Sequence, residues 1–537
     1  MSTRFVAAWL ASQGQAEALL PPLWRTPEGR RAAVQRAARR SPPAPATLAA
    51  LRAQHEALPP SDARAHNLDR LAKGAACVVT GQQVGLFLGP LYSFFKAMSA
   101  ILIARELEAE ASHPVVPVFW LQAEDHDLDE IATAWTPGAD GSPVALRLQT
   151  EPGWRTSVAH RALGDDAVTA LRGLEELLGD RPFAAEALDL LQRHYQPGRS
   201  VAAAYAGAIA EVFAEEGLIV LQPRTEAFAR LAAPVHRRAL QGADELDALL
   251  ARRAEALAEA GLEVQIEPRE GCTLSFFHPE GPSGPRHRLR RCPQGGWTGA
   301  GHPMLRSEAE LERTLERRPL RWSTSALLRP ILQDILLPTA AYVGGPGEVC
   351  YFGQLAPVYA WFGLPAPMIV HRGRGLLIEP DVQAALRDLG LTPRDLERDE
   401  AELLERVRIP EAPEVTPERL RDALEAPLLD GLASVWEDAA ALDPTMERTL
   451  RGARHVMQRQ INRLVRRAQV SRLASAPERQ RALKRVQGML RPDGGPQERT
   501  YGLAWFLSGC GLEALKREVR AAFEEDVWSP EVKEVAL

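Results

Sequence analysis

The sequence predicts an α/β protein built on a doubly wound parallel sheet, and two observations support this. From residue 76 onward, short apolar runs are each followed by glycine or polar residues and then by a helical pattern, which is typical of βα units. The runs are apolar on both faces, as expected of parallel strands covered by helices on both sides. Five such runs occur, at Cys77–Thr80, Val115–Trp120, Leu218–Leu221, Ala340–Val343 and Met368–His371.

The spacing of these runs predicts two crossover helices and two inserted subdomains. Residues 92–108 and 349–362 have the pattern of crossover helices. About a hundred residues separate the second run from the third, and more separate the third from the fourth, which is too long for structureless loops. The second insertion contains three short runs with Gly and Pro between them, which favour a small antiparallel sheet: Leu262–Ile266, Thr273–Phe277 and Arg286–Arg290.

The sequence pattern of residues 381–495 differs from that of the core and predicts an α-helical coiled-coil hairpin. One apolar stripe of helical period runs from Leu420 to Leu442, and a second runs from Met446 to Ala468. The short break at Asp443-Pro444 is a good helix start and implies an antiparallel pair. The first helix is acidic and the second basic, so we expect their flanks to pair, with nucleic-acid binding by the basic stripe as the lesser alternative.

These patterns give a domain order in which the parallel-sheet core is interrupted twice. The predicted segments are 1–145, N-terminal helices and the first part of the core; 146–205, a mainly helical first insertion; 206–245, core; 246–322, the second insertion with its antiparallel sheet; 323–380, the last core strands; 381–495, the hairpin; and 496–537, a C-terminal helical segment.

Composition predicts a soluble cytoplasmic protein. The 537 residues carry a formal charge of −6, so nucleic acid is an unfavoured partner, and no apolar stretch approaches the length of a membrane span. The five cysteines are widely spaced and contain no C-x-x-C. Free, mostly buried thiols are therefore expected, rather than a disulfide framework or a metal site.

The glycine-rich segment after the first run is the first candidate site. Ligands of an open parallel sheet bind at the carboxyl ends of its strands. Glycine lets the backbone approach a ligand, and a helix that starts at a proline attracts an anion to its N-terminus. Because the spacing matches neither known phosphate-binding fingerprint, a tight turn with a solvated lysine remains the alternative. The candidate ligand-binding residues are Gln82, Gln83, Gly89, Pro90, Tyr92 and Lys96.

After the second run, five acids surround one histidine in residues 124–130. Acids at a helix start can simply complement the helix dipole. That role does not call for an imidazole, which beside carboxylates is a tunable acid or base. His126 is therefore the first catalytic candidate, followed by Asp125 and Asp127, while Glu124 and Asp129 are candidate substrate ligands. A metal site is not predicted, since no second histidine lies at a ligand spacing.

A second glycine loop follows the fourth run and also opens a helix, which again favours an anion. Cys350 on this helix is more readily a packing residue than a nucleophile, because the sequence offers no matching base. Two arginines near the strand ends could clamp a carboxylate. The candidate ligand-binding residues in this part of the chain are Gly344, Gly345, Gly347, Glu348, Tyr351, Arg329 and Arg372.

Three sequence segments together resemble the bacillithiol synthase family, the cysteine-adding enzymes of bacillithiol biosynthesis. They are Thr80 to Tyr92, Pro117 to Glu130, and Arg329 to Glu348. With the late run Pro496 to Arg499 and the hairpin, the resemblance covers nearly the whole chain. It implies a Rossmann-like core akin to nucleotidyltransferases and class I synthetases, connecting-peptide insertions, and a coiled coil through which the family forms homodimers.

The resemblance also implies a reaction, the addition of L-cysteine to the amine of glucosaminyl-malate with formation of an amide. A carboxylate needs activation before it acylates an amine, and ATP, with Mg²⁺, would supply this most simply, although the cofactor is left open. On this hypothesis the glycine turns hold anionic groups, and His126 with Asp125 or Asp127 deprotonates or orients the amine. Tyr92, Lys96 and Arg329 would position malate or phosphate oxygens.

Two other classes of protein fit parts of the pattern. Another ATP-dependent carboxylate–amine ligase or a nucleotidyltransferase-like enzyme would share the glycine loops and differ only in substrate. A non-catalytic coiled-coil scaffold would account for the hairpin, but it would leave the polar clusters at three strand ends unexplained.

Overall fold

The computed structural model describes residues 4–124, 128–150, 157–293, 295–299, 302–408, 417–443 and 445–537. The chain divides into two compact units. The first comprises residues 1–136, 145–376 and 498–535, and the second comprises 137–144, 377–497 and 536–537. Among the described helices, none combines the length and apolar character that crossing a bilayer requires.

The described strands are β1 Ala76–Gln83, β2 Val115–Gln122, β3 Thr133–Pro137, β4 Pro143–Arg147, β5 Ile219–Leu221, β6 Cys272–Phe277, β7 His287–Arg291, β8 Trp297–Gly299, β9 His302–Arg306, β10 Trp322–Thr324, β11 Thr339–Gly344, β12 Met368–His371, β13 Arg374–Ile378 and β14 Val532–Ala536.

The described α-helices are α1 Arg4–Leu10, α2 Ala16–Leu19, α3 Pro27–Ala38, α4 Pro45–Glu56, α5 Asp62–Ala72, α6 Leu91–Ala111, α7 Leu128–Ile131, α8 Asp165–Leu178, α9 Ala184–His194, α10 Val201–Val212, α11 Glu226–Gln241, α12 Ala243–Glu259, α13 Glu308–Arg317, α14 Arg329–Leu336, α15 Pro346–Trp361, α16 Pro380–Leu389, α17 Glu400–Arg406, α18 Pro417–Ser434, α19 Trp436–Leu442, α20 Met446–Ala474, α21 Pro477–Leu490, α22 Gln497–Thr500, α23 Leu503–Cys510 and α24 Leu512–Glu524.

The central sheet has five strands in the order β12-β11-β1-β2-β5, and every neighbouring pair is parallel. All five predicted runs form its strands. The chain moves outward from β1 through β2 to β5, then returns to the other side of β1 to form β11 and β12. The order therefore reverses between β1 and β11, and an open sheet of this kind leaves a crevice there at its carboxyl edge.

Burial explains why these runs become strands. Residues 76–81 of β1 and all of β11 are buried, as parallel strands covered on both faces must be. Helix α6 packs against β1 and β2 and buries most of its length, while α15 packs against β11 and β12. Both predicted crossover helices are thus confirmed, at Leu91–Ala111 and Pro346–Trp361.

The second insertion contains the predicted antiparallel sheet, with five strands in the order β10-β6-β7-β8-β9. Two of the three predicted runs form β6 and β7, but the prediction of a strand at Leu262–Ile266 is wrong. The side-chain amide of Gln354 takes the place of a partner strand there. It accepts a hydrogen bond from the Ile266 amide at 3.0 Å and donates one to the Ile266 carbonyl at 2.9 Å.

The second unit contains the predicted hairpin. Helices α18 and α19 pack against α20, which runs for 29 residues. The expected pairing of acidic and basic flanks is not found at two of the arginines. Arg451 pairs with Glu447 of its own helix at 2.7 Å, and Arg466 pairs with Glu400 of α17. The proposed break residue Pro444 lies outside the described residues.

Candidate functional site

Two adjoining cavities lie at the carboxyl edge of the central sheet. The first, of about 440 Å³, opens at the reversal point between β1 and β11, and we call it the crevice cavity. The second, of about 340 Å³, lies between the end of β2 and the sheet of the second insertion, and we call it the insertion cavity. Gln122, Ile266, Glu348 and Tyr351 line both cavities and form their shared wall.

Most of the residues predicted from the strand ends meet at these cavities. Of the predicted residues, the crevice cavity is lined by Gln82, Gln83, Tyr92, Lys96, Gly345, Gly347, Glu348, Tyr351 and Arg372. Glu124, Arg329, Glu348 and Tyr351 line the insertion cavity.

The carboxylate of Glu348 is the most heavily bonded group of the site. It accepts hydrogen bonds from the Tyr342 hydroxyl at 2.6 Å, the Gly345 amide at 2.8 Å and the Lys96 ammonium. The Lys96 ammonium also donates to the carbonyl of Gly81 at 2.7 Å and to the side chain of Gln82 at 3.0 Å. One ion pair therefore ties the end of β1 to the start of α15, across the reversal point of the sheet.

The pair is ionised on physical grounds. Burial alone would raise the pKa of Glu348, but the positive charges of Lys96 and Arg329, with the hydrogen bonds, bring it below its usual value of 4.5. Burial lowers the pKa of Lys96, and the negative charge of Glu348 opposes that shift. Three oxygen acceptors surround the ammonium. An ammonium held in this way keeps its proton, because deprotonation would leave Glu348 as an uncompensated buried charge.

Arg329 adds a second buried positive charge behind the shared wall. Its guanidinium donates to the Tyr351 hydroxyl at 2.5 Å, the Tyr342 hydroxyl at 3.1 Å and the side chain of Gln333 at 3.1 Å. Burial raises the pKa of Tyr351 to about 12, so its hydroxyl is neutral at physiological pH. Arg329 is therefore held by neutral oxygens, and its charge still acts on the cavity.

Arg372 has a different environment from the one its sequence position predicts. It makes a two-point ion pair with Glu498, with both N–O distances at 2.7 Å and both side chains 4% exposed. Its guanidinium carbon also lies 5.6 Å from the centre of the Tyr92 ring. Arg372 lines the crevice cavity, and its two-point clamp holds a carboxylate of the chain itself.

The second glycine loop does not present an open helix N-terminus. The Gly345 amide donates to the Glu348 side chain three residues later, which caps α15 with the chain's own carboxylate. Gly344 is buried, and its carbonyl accepts the Arg372 amide at 2.9 Å. The Glu348 carboxylate therefore occupies the position predicted for a bound anion at the Gly345 amide, where it competes with any external anion.

The first glycine loop is held away from the cavities. Gly89, at φ +65°, and Pro90 do not line either one. The Leu91 amide at the start of α6 donates to the Tyr501 carbonyl at 2.8 Å, so this helix N-terminus is also engaged. Tyr195 fixes the loop, since its hydroxyl accepts the Leu88 amide at 2.9 Å and donates to the Gly85 carbonyl at 2.8 Å.

Two family models together match nearly the whole chain. Residues 2–373 match the model described as "Bacillithiol biosynthesis BshC, N-terminal Rossmann-like domain", and residues 375–527 match "Bacillithiol biosynthesis BshC, C-terminal coiled-coil domain". The chain belongs to the BshC family. The resemblance inferred from its sequence segments is confirmed, and so are the Rossmann-like core and the coiled-coil hairpin.

Relatives support this membership. A protein of Koribacter versatilis is 33% identical over 473 residues, covering 88% of this chain and 87% of the relative. A protein of Salinibacter ruber is 30% identical over 522 residues, covering 95% of this chain and 92% of the relative. A third, from Solibacter usitatus, is 30% identical over 475 residues, covering 87% of this chain and 85% of the relative. All three bear the name "Putative cysteine ligase BshC".

The acidic run after β2 is described only in part in this BshC chain. Glu124 lines the insertion cavity, where it accepts the Thr324 amide at 3.2 Å and the Thr324 hydroxyl. The catalytic candidates Asp125, His126 and Asp127 lie outside the described residues, and Asp129 is described only as part of the α7 backbone.

Cys350 does not line either cavity. It is buried on α15, with its sulfur 3.8 Å from the Glu263 carbonyl oxygen. The five cysteines are free thiols, as predicted. The burial of Cys350 agrees with a packing role for this residue.

Three charged residues that line the cavities were missing from the sequence-based candidates, and so was Glu498, which pairs with Arg372. Glu498 and Arg499 belong to the late run Pro496–Arg499, whose position in the chain gave no hint that it would meet Arg372. Arg286 and Arg288 lie in a run that was read only as a strand of the second insertion. The clustering of two arginines on alternate positions beside an apolar run was the signal available for them.

The Arg372–Glu498 pair should make stability depend on acid pH. The charges of Arg372 and Arg374 outweigh burial and lower the pKa of Glu498 below its usual value of 4.5. A lowered pKa contributes stability that is complete above about pH 4.5 and is lost as the pH falls through the folded-state value. We expect Glu498→Gln to cost about 3–5 kcal/mol at pH 7, because it leaves Arg372 buried without its partner.

Urea unfolding at pH 7 and at pH 4 measures this effect, and the difference between variant and wild type should shrink at the lower pH. Glu518→Gln is the matched control, since Glu518 forms an exposed pair with Arg517 and should change stability by less than about 1 kcal/mol. Equal losses at both pH values would contradict the assignment.

Proposed function

We propose that this protein joins L-cysteine to the amine of glucosaminyl-malate as a carbon–nitrogen ligase, in the last step of bacillithiol biosynthesis. Membership in the BshC family and the names of its relatives support this reaction. The observation that carries the proposal is the pair of adjoining cavities with one shared wall. A reaction that joins two small molecules needs two compartments that meet where the new bond forms.

Amide formation requires an activated cysteine carboxyl group and an amine that loses a proton. The carbon–nitrogen bond forms as the bond between the cysteine carboxyl carbon and its activating group breaks, and the amine gives up one proton. ATP would supply the activation most simply. The ionised Glu348, with the neutral hydroxyl of Tyr351 beside it, offers an acceptor to a substrate N–H at the shared wall.

We assign the proton transfer to the acidic run after β2. His126 would take the proton from the amine, and Asp125 or Asp127 would orient its imidazole. Lys96 acts as a positioning residue, because its ammonium holds Glu348 in place. The uncharged side chains of Gln82, Gln83 and Gln122 line the crevice cavity and would hydrogen-bond to substrate.

We also propose that the protein is a cytoplasmic homodimer that pairs through α18–α20. The long helix α20 leaves several apolar side chains exposed, which is the pattern of a helix face that another helix covers. They are Val456 at 47%, Leu464 at 53% and Val470 at 47% exposure.

Deleting the gene in its source organism tests the proposed function in the cell. Bacillithiol should disappear and glucosaminyl-malate should accumulate, because the acceptor is still made and no longer consumed. Mass spectrometry of thiol-labelled extracts measures both compounds, and a plasmid-borne copy should restore the wild-type profile. An unchanged profile in a strain without a second copy of the gene would contradict the proposal.

His126→Ala separates an enzyme from a scaffold. Removing a general base typically costs between about 100-fold and 10,000-fold in rate, so the turnover of cysteine and glucosaminyl-malate should fall by that range while the thermal unfolding midpoint stays unchanged. His66→Ala is the control, because His66 is exposed on α5. Full activity in the His126 variant would exclude it as the base.

A further inference from the structure

The insertion cavity concentrates positive charge that the mechanism above does not use. Three guanidiniums line it, those of Arg286, Arg288 and Arg329, together with the carboxylates of Glu124 and Glu348. Glu348 is already paired with Lys96, and Arg329 is held by tyrosine and glutamine oxygens. The two arginines of the second insertion are therefore the groups whose role is still to be explained.

Arg286 and Arg288 both lie against one aromatic ring. Their guanidinium carbons lie 4.5 Å and 5.2 Å from the centre of the same aromatic ring, that of Phe276 on β6. Stacking on an aromatic face holds a guanidinium in place and leaves its in-plane N–H groups for an acceptor. The Nε atom of Arg288 is buried and has no hydrogen-bond partner among the described residues.

The electrostatics favour an anionic ligand at this place. Burial, together with the like charges of Arg269 and Arg286, lowers the pKa of Arg288, so the guanidiniums repel one another in the free protein. A ligand with two negative groups would relieve that repulsion and satisfy the buried N–H. A buried N–H such as that of Arg288 Nε is costly to leave without an acceptor, and a charged ligand oxygen makes a strong bond to a guanidinium.

We propose that Arg286 and Arg288 bind the two carboxylates of the malyl group of glucosaminyl-malate in the insertion cavity. The assignment rests on the proposed function and adds to it the residues that select the acceptor. Cysteine carries one carboxylate beside an ammonium, so it is the poorer match for two adjacent guanidiniums. Cysteine and its activating group are then left to the crevice cavity, on the other side of the shared wall.

Arg288→Gln tests the proposal through a split between kinetic constants. The KM for glucosaminyl-malate should rise about 10-fold to 100-fold, the range expected for losing hydrogen bonds to a charged group. The value of kcat and the KM values for cysteine and ATP should stay within about twofold, since Arg288 would contact only the malyl group. Arg290→Gln is the matched control, an exposed arginine two residues along the same strand, and it should leave all constants unchanged.

Calorimetry provides a readout that does not depend on turnover. Glucosaminyl-malate should bind the wild type, and a methyl glucosaminide without the malyl group should bind far more weakly and equally to both proteins. An unchanged KM and affinity for glucosaminyl-malate in Arg288→Gln would overturn the proposal. A rise confined to the KM for ATP would also overturn it and would assign the arginines to phosphate.

Two other variants replace Arg288→Gln if it lowers the thermal unfolding midpoint, namely Arg286→Gln and Arg288→Lys. The lysine variant should recover part of the affinity, because it keeps the positive charge but loses the forked pair of guanidinium N–H donors. Binding of glucosaminyl-malate that depends on Arg288, in a wild type that forms no amide with cysteine, would reject the proposed reaction while retaining the malyl site. Failure of the wild type to bind glucosaminyl-malate would reject both.

Discussion

The Lys96–Glu348 ion pair is the interaction on which the site depends. It spans the crevice that the reversal of strand order leaves at the carboxyl edge of the sheet, between the end of β1 and the start of α15. Glu348 also accepts the Tyr342 hydroxyl and caps α15 through the Gly345 amide. One carboxylate thus contacts the end of a strand and the start of a helix and forms part of the wall between the two cavities.

This arrangement changes how the glycine loops are understood. A helix N-terminus next to a glycine turn ordinarily attracts an anion. Here the chain supplies that anion itself, as Glu348 at α15, while the Tyr501 carbonyl accepts the first amide of α6. The positive charge left for substrates therefore comes from side chains. Lys96 and Arg372 are neutralised by carboxylates of the chain, and we assign substrate binding to the arginines of the second insertion.

The sequence predicted the core well because its determinants are local. A run such as Val115–Trp120 is apolar on both faces, and only a covered parallel strand buries it fully. The prediction was wrong at Leu262–Ile266, where Gln354, about ninety residues further along the chain, satisfies the backbone that a strand partner would otherwise have bonded. The local sequence around Ile266 does not indicate this contact with a side chain so distant along the chain.

The same limit applies to the site. Strand-end loops could be identified as functional, because carboxyl ends of parallel strands converge on one edge. That Arg372 is already bound to Glu498 could not be foreseen, since 126 positions separate them. Arg288 lies on β7 of the second insertion and Arg286 directly precedes that strand, and only the packing of the insertion over the end of β2 brings both to a cavity. Family resemblance indicated the reaction, while three-dimensional contacts suggest which groups carry it.

A double-mutant cycle on the central ion pair tests this account most directly. Lys96→Met, Glu348→Gln and the double variant would be unfolded in urea at pH 7. Each single change should destabilise by about 3–5 kcal/mol, since it leaves a buried charge unpaired. The double variant should cost less than the sum by about 1–3 kcal/mol. Additivity within about 0.5 kcal/mol would contradict the central role of the pair.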